Sequence, residues 1–286
     1  MSLMSISQIF QKIATDNFLE IKEATSLRGG DINEVTLLSC TTGYFALKTN
    51  CVNRFPKIFS TEAKGLSSLE KSKSFLTPKV INEGRIEETL YLLLEYIPPS
   101  APSQNFNENF AKQLTQLHRN TQTKFGLDHS NYIGSLPQYN SFKTTAASFY
   151  IEQRLQPQLE MANNRGFLFS NVPSVIKNIT NEIPNEPSGL IHGDLWNGNY
   201  LISEKGQPVL IDPAVAYAPR EMDLAMMHLF GGFSDEIFNL YNEIYPLEQN
   251  WKNRIDLWQL YYLLVHLNLF GSSYLHSVSR ILKKYS

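Results

Sequence analysis

Residues 96–102 read Tyr-Ile-Pro-Pro-Ser-Ala-Pro, with three prolines in five residues. Such a run removes backbone donors and fixes φ, so no strand or helix interior passes through it. It separates two stretches with different hydrophobic periodicity. Before it, Asn33 to Cys40 and Tyr44 to Thr49 read as short strands. Thr41-Thr42-Gly43 joins them as a hairpin turn, with Gly43 free to take positive φ. Ile58 to Lys71 has helical spacing, with Phe59, Ala63, Leu66 and Leu69 on one face. Lys79 to Ile81 and Leu90 to Glu95 are two more expected strands, with Glu83-Gly84-Arg85 as the turn region between them.

Beyond the prolines the pattern turns helical. Phe106–Arg119, Thr144–Asn163 and Val172–Ile183 carry helical spacing, with Pro157 as an expected kink and Pro173 suited to a first turn. Glu221–Phe230, Asp235–Tyr245, Trp251–Phe270 and Tyr274–Lys284 follow as further helices. Tyr200–Ser203 and Pro208–Ile211 interrupt them as strand-like pieces. The expected organisation is a β-rich unit with one main helix, residues 1–97, and a larger, mainly helical unit, residues 98–286.

Composition narrows the function classes. A chain of 286 residues with 42% hydrophobic and 18% charged content has enough apolar material for two globular units. The formal charge of -2 and a pI near 6.3 argue against a dedicated nucleic-acid binder, which usually carries a basic stripe or a pI above ~9. Cys40 and Cys51 form no CxxC or Cys/His cluster and read as reduced thiols. Met1 to Phe10 lacks the basic and apolar regions of a signal peptide. The longest apolar run, Leu257 to Phe270, is interrupted by Gln259, His266 and Asn268. We therefore expect a soluble cytoplasmic protein without a membrane or nucleic-acid partner.

The segment His192-Gly193-Asp194-Leu195-Trp196-Asn197-Gly198-Asn199 carries the chemistry. An Asp followed five residues later by an Asn is what phosphoryl transfer requires. The carboxylate takes the proton of an attacking hydroxyl, and the Asn oxygen ligates Mg²⁺. Eighteen residues after Asp194, Asp212 closes the short apolar run Val209-Leu210-Ile211 and offers a second hard oxygen ligand. Alone, Asp194 reads equally as a helix cap, and Asp212-Pro213 as a turn start. Together at this spacing, the catalytic reading prevails.

Upstream, Lys48 sits in the strand-like Ala46-Leu47-Lys48, and Glu62 lies fourteen residues later on the expected helix. A strand lysine paired with a helix glutamate holds ATP phosphates in kinases. Gly29 and Gly30 precede the first hairpin and can bring backbone N–H groups near phosphates, although the full GxGxxG spacing is missing. Glu95 to Ile97 ends the last strand, where a kinase hydrogen-bonds adenine. His192 reads as a prop for Asp194, and Asp223 as a buttress of the same loop. Trp196, Arg220 and His266 are candidate substrate contacts, each with an ordinary core or ion-pair role as its alternative.

These residues resemble a known family. HGDLWNGN (192–199), Ile211-Asp212-Pro213, REMDLAM (220–226), LFGGF (229–233), LNLFG (267–271) and GGDIN (29–33) are similar to fructosamine kinases, also called ketosamine 3-kinases. The resemblance implies a two-lobed protein-kinase-like α+β fold, with ATP and Mg²⁺ between the lobes, related to aminoglycoside phosphotransferases and choline kinases. It implies phosphorylation of the 3-hydroxyl of a ketosamine, small or protein-bound, leading to deglycation by an enzyme we expect to be monomeric. It assigns Asp194 as the base, Asn199 and Asp212 to Mg²⁺, and Lys48 with Glu62 to the phosphates. Tyr217-Ala218-Pro219, Tyr262 and Val265 depart from the family pattern on the substrate side. Kinases for an aminoglycoside- or choline-type acceptor, and a nucleotide-binding pseudokinase, stay open as alternatives.

Overall fold

The computed structural model describes residues 4–27 and 32–286. The expected phosphate-approaching Gly29 and Gly30 lie outside them. The amino-terminal lobe is a five-stranded antiparallel sheet clasped between two helices. Helix α1 (Ile6–Asp16) comes first, then strands β1 (Ile21–Ser26), β2 (Glu34–Cys40) and β3 (Gly43–Cys51). Helix α2 (Ile58–Ser72) precedes strands β4 (Val80–Ile86) and β5 (Thr89–Glu95). The strand order is β1-β2-β3-β5-β4.

Side chains alternate across a strand, and that alternation builds both faces of this sheet. Leu38, Leu47 and Leu93 pack against Ile9 and Ile13 of α1. Leu92 and Leu94 pack against Ile58, Phe59 and Leu66 of α2. Leu47 and Leu93 are fully buried, and burying each stabilises the fold by about 1.5–3 kcal/mol relative to exposure. Since Leu47 faces α1, its neighbour Lys48 must face α2. The hydrophobic register of β3 thus sets the direction of the one polar side chain that matters most.

Two expectations are corrected here. The sheet has helices on both sides, because Ser5 and Gln8 close a capping box ahead of the apolar Ile9–Ile13–Ala14 face. The segment Glu83-Gly84-Arg85 is strand rather than turn, and the chain reverses at Glu87, which takes a φ of 50°. Gly84 belongs in that strand because a Cβ there would sit 3.0 Å from the Tyr91 ring.

The proline run leads into the carboxy-terminal lobe. Helix α3 (Phe106–His118) is followed by β6 (Thr121–Gln122) and a small hairpin of β7 (Asn131–Ile133) and β8 (Leu136–Gln138). Helices α4 (Ala146–Tyr150) and α5 (Gln156–Asn164) are joined by a π-turn at Ile151–Leu155. The ring of Pro157 lacks an N–H, and the wider turn immediately before it accommodates the lost bond. Then come α6 (Val172–Glu182), β9 (Ser188–Ile191), β10 (Tyr200–Ile202), β11 (Pro208–Leu210) and β12 (Ala216–Ala218). The chain ends in α7 (Glu221–Phe230), α8 (Asp235–Ile244), α9 (Trp251–Phe270) and α10 (Leu275–Lys284).

Helix α9 is apolar around its circumference, which marks the centre of a core. Leu257, Trp258, Leu260, Tyr262, Leu264 and Leu267 are all essentially inaccessible. No helix of the described residues is long and apolar enough to cross a membrane. The lobes meet where Leu76, just after α2, bridges Val209 of β11 and its carbonyl accepts from Leu210 N–H at 2.9 Å.

Candidate active site

A cavity of about 540 Å³ separates the sheet and α2 from the loop that follows β9. Lys48 and Glu62 enter it from the amino-terminal lobe, and Asp194, Asn199 and Asp212 enter from the other. These five residues are remote in sequence and line one space.

Lys48 Nζ donates to Glu62 Oε1 at 2.7 Å and also ion-pairs with Asp212 Oδ1. The Lys48 and Glu62 side chains are only 9% and 10% exposed, whereas that of Asp212 is 43% exposed. Burial alone would lower the proton affinity of Lys48. The two carboxylates outweigh it and hold the ammonium charged. Burial pushes Glu62 up to about 7, against the pull of Lys48. A buried ion pair is weak evidence for stability, since desolvation consumes most of its attraction. Two carboxylates converging on one amine are better explained by function.

Helix α2 reaches this position through a close approach. A Cβ on Gly65 would lie 3.0 Å from Pro213, so the helix rests against the residue following Asp212. Asp212 itself has a φ of 55°, in the left-handed region that Asp tolerates better than most residues. Its successor Pro213 disfavours the right-handed helical alternative. Backbone strain held at a charged residue in a cleft is a mark of function.

The loop carrying Asp194 is held from behind. Asp223 of α7 is fully buried and accepts from His192 N–H at 2.7 Å and Gly193 N–H at 2.8 Å. His118 bonds the same carboxylate at 3.2 Å. His192 Nε2 donates to Ile211 O at 2.9 Å, which leaves Nδ1 to accept from Asp194 N–H at 3.3 Å. One imidazole therefore ties the Asp194 loop to the strand that delivers Asp212. Gly193 is required where it stands, with a φ of 84° and room for no Cβ, which would meet Ala214 O at 2.1 Å.

Asn199 Nδ2 donates to Asp194 O at 2.9 Å and to Asp194 Oδ2 at 3.0 Å. Its amide oxygen is thereby left for a cation. Burial pushes Asp194 up to about 7, the Asn199 bond opposes this, and the Asp212 and Asp223 carboxylates add to it. A carboxyl near neutrality is suited to accepting a hydroxyl proton.

Among the described residues no three His, Cys, Asp or Glu side chains gather as a metal cage. Mg²⁺ does not need one. It is commonly held by one or two protein oxygens, with phosphates and water completing its shell. The Asn199 amide and the Asp212 carboxylate are hard oxygens on one cavity wall, and this donor set fits that ion.

The other expected residues divide. Trp196 lines the cavity, its ring lying over Gly198, where a Cβ would come within 2.3 Å. His266 also lines it, whereas Asn268 on the same helix is fully buried in the core and donates its Nδ2 to Gln158. Arg220 is corrected. It does not line the cavity, is 3% exposed, ion-pairs with Glu186 and stacks on Tyr245 at 3.8 Å. Its guanidinium also donates to the carbonyls of Tyr245 and Pro246. Glu221 beside it likewise faces inward, to Arg254 and Trp258. Glu95 and Ile97 end the lobe connection and are not among the residues lining the cavity. Glu95 N–H is already bonded to Lys79 O at 2.9 Å.

Sequence reasoning missed the β7–β8 hairpin, whose Asn131, Tyr132 and Gly134 wall the cavity. It also left Phe230, Phe270 and Tyr274 without a role, although they close its far end. Asn131 Nδ2 donates to Val215 O and Gln138 Nε2 donates to Ala214 O, both at 3.0 Å, which fixes the hairpin beside the strand following Asp212.

Comparison with known proteins identifies the family. The family described as fructosamine kinase matches residues 2–286. The "Probable ketoamine kinase" of Enterococcus faecium is 37% identical over 265 residues, covering 90% of this chain and 93% of that one. The one from Lactiplantibacillus plantarum is 36% identical over 273 residues, covering 93% and 95%. A solved structure named for fructosamine-3-kinase, from Haemophilus somnus, superposes with a TM-score of 0.89 at 28% identity, covering 96% of each chain. An aminoglycoside phosphotransferase superposes at 0.61 with 12% identity over 99% of this chain and all of its own, a likeness of fold. The fold is the two-lobed protein-kinase-like α+β arrangement, the chemistry is phosphoryl transfer to an alcohol, and the chain belongs to the fructosamine kinase family.

Proposed function

We propose that this chain transfers the γ-phosphoryl group of ATP to the 3-hydroxyl of a ketosamine, free or protein-bound. The observation that carries the reading is the meeting of Lys48, Glu62, Asp194, Asn199 and Asp212 around one cavity. Asp194 accepts the proton of the acceptor hydroxyl as its oxygen bonds to phosphorus, and the bond to the departing ADP oxygen breaks. Asn199 and Asp212 would hold Mg²⁺, which supplies neutralisation of phosphate charge when bound. Lys48, oriented by Glu62, pairs with the phosphates. The backbone from Glu95 to Ile97, apart from the Glu95 N–H that Lys79 O already accepts, takes the adenine edge, and Gly29 and Gly30 are assigned to the phosphates. Trp196 flanks the sugar. Such catalysis is mostly positioning and charge neutralisation.

The acceptor end of the cavity separates this reading from an aminoglycoside kinase. Polycationic acceptors need several carboxylates. Among the described residues lining the cavity the only carboxylates are Glu62, Asp194 and Asp212, all assigned to phosphoryl transfer. The rest of that end is aromatic. The product carries phosphate beside the ketone carbon. In its enaminol form the C3–O bond breaks, phosphate leaves, and water releases the amine from the resulting iminium, which amounts to deglycation. A reducing cytoplasmic setting suits the free thiols of Cys40 and Cys51.

The test is ADP release with Mg²⁺-ATP, comparing fructosyl-lysine and ribulosyl-lysine with an aminoglycoside and choline. Turnover on a ketosamine is expected. Turnover on the other acceptors alone refutes the substrate assignment, and ATP binding without any turnover favours a pseudokinase.

A further inference from the structure

We infer that Phe230, His266, Phe270 and Tyr274 form the subsite for the protonated secondary amine of the acceptor, an inference that rests on the ketosamine reading above. The four rings surround one end of the cavity. His266 is central, with ring centroids 4.9 Å from Phe230, 5.5 Å from Phe270 and 5.0 Å from Tyr274. Phe230 stands 6.2 Å from Trp196, so the rings continue from the Asp194 loop. Phe230 and Phe270 are 40% and 51% exposed and both pack on His266, so they form a contiguous apolar patch of the kind that marks a binding site.

The local fold explains the grouping. His266 and Phe270 are four residues apart on α9 and share a face. Gly271 ends α9 at a φ of 86°, and Tyr274 follows in the short 3-10 turn, its ring tilted against that of His266. Phe230 is the last residue of α7, which ends at Gly231. Two helix C-termini therefore converge on the rings, and each brings partial negative charge.

Three features select a cation here. Ring faces attract ammonium groups, most strongly where the cation is desolvated. No carboxylate other than Glu62, Asp194 and Asp212 lines the cavity among the described residues. His266 Nδ1 lies 2.8 Å from the Tyr262 carbonyl, which can only accept, so Nδ1 carries the proton and Nε2 is an acceptor. Burial lowers the proton affinity of this ring, in keeping with a neutral imidazole. A ketosamine presents one secondary ammonium, with N–H donors, next to its sugar. The rings cover the charge, and Nε2 accepts one N–H.

The test uses two acceptors with the same sugar, a fructosyl alkylamine and the fructose alkyl ether in which oxygen replaces nitrogen. We expect the wild-type enzyme to prefer the amine in kcat/KM by about tenfold. The Phe270→Leu/Tyr274→Leu double variant should reduce that preference to about twofold or less, mainly through KM for the amine. Phe270→Tyr keeps a ring and should keep the preference. If the double variant does not fold, Phe270→Leu alone, at an exposed position, should still lower it about threefold. Turnover of both acceptors without preference by the wild type overturns the amine subsite alone. So does an undiminished preference in a folded ring-deleted variant. No turnover of either acceptor by the wild type overturns the ketosamine reading and the subsite with it.

Discussion

Replacing Asp194 with asparagine should stabilise the protein while removing its activity. Burial, with Asp212 and Asp223 nearby, pushes this carboxyl up to about 7, against about 3.9 in an unfolded chain. The difference of about three pH units corresponds to a ceiling of ~4 kcal/mol against the ionised form. The side chain is only half-buried and water screens part of that cost, so about 1–2 kcal/mol is the expected penalty. The sign follows from proton linkage. Below about pH 4 the carboxyl is neutral folded or unfolded, and carries no penalty. Between about 4 and 7 only the unfolded chain gives up the proton, so the penalty grows, and above 7 it is complete. Asparagine keeps the shape, and its amide oxygen still accepts from Asn199 Nδ2. Thermal unfolding without Mg²⁺ should therefore show the variant melting roughly 2–8 °C higher at pH 8.5. The gain should shrink at pH 5.5. ADP release should fall about 10²–10⁴-fold. A lower melting temperature at pH 8.5 would show that Asp194 is a structural cap, and turnover within tenfold of wild type would remove it from the base role.

Three further outcomes follow from the same geometry. Lys48→Met should cut kcat/KM at least a hundredfold and destabilise by about 3–5 kcal/mol, because it leaves Glu62 buried without a counter-charge. The melting loss should be larger at pH 8 than at pH 6, where Glu62 can take up a proton, and equal losses would count against this. Asp212→Asn should weaken ATP binding in calorimetry with Mg²⁺ far more than without it, and equal effects would refute the metal assignment. Arg220→Ala should destabilise by about 3–5 kcal/mol, through the unpaired Glu186 and the lost Tyr245 stack. The folded fraction should keep the wild-type KM for acceptor, and a raised KM would restore Arg220 to the substrate site.

The candidate catalytic residues were legible because phosphoryl transfer fixes both residue type and spacing. Asp194, Asn199 and Asp212 lie on one continuous loop–strand–strand segment, so chain order nearly dictates their proximity. Lys48 was readable from the alternation of β3, and Trp251–Phe270 from its sustained apolar pattern. Helix α1 carries its signal in the Ser5–Gln8 capping box, which charge and apolar content alone do not reveal. Gly84 was misread because a glycine inside a strand looks like a turn until the ring lying over it is seen. The β7–β8 hairpin has three-residue strands, too short for periodicity to register. The ring cluster joins the ends of α7 and α9, and only tertiary packing brings Phe230 to His266. Arg220 stays open in the sequence between a substrate contact and an ion pair, because its partner Glu186 lies 34 residues upstream.

The most direct test is ³¹P and ¹H NMR of the product formed from fructosyl-lysine and Mg²⁺-ATP. The expected result is phosphorus coupled to the proton on carbon 3, followed by slow release of free lysine and inorganic phosphate, with neither signal formed by the Asp194→Asn variant. Phosphate on a different hydroxyl, or inorganic phosphate without any sugar phosphate, would contradict the account.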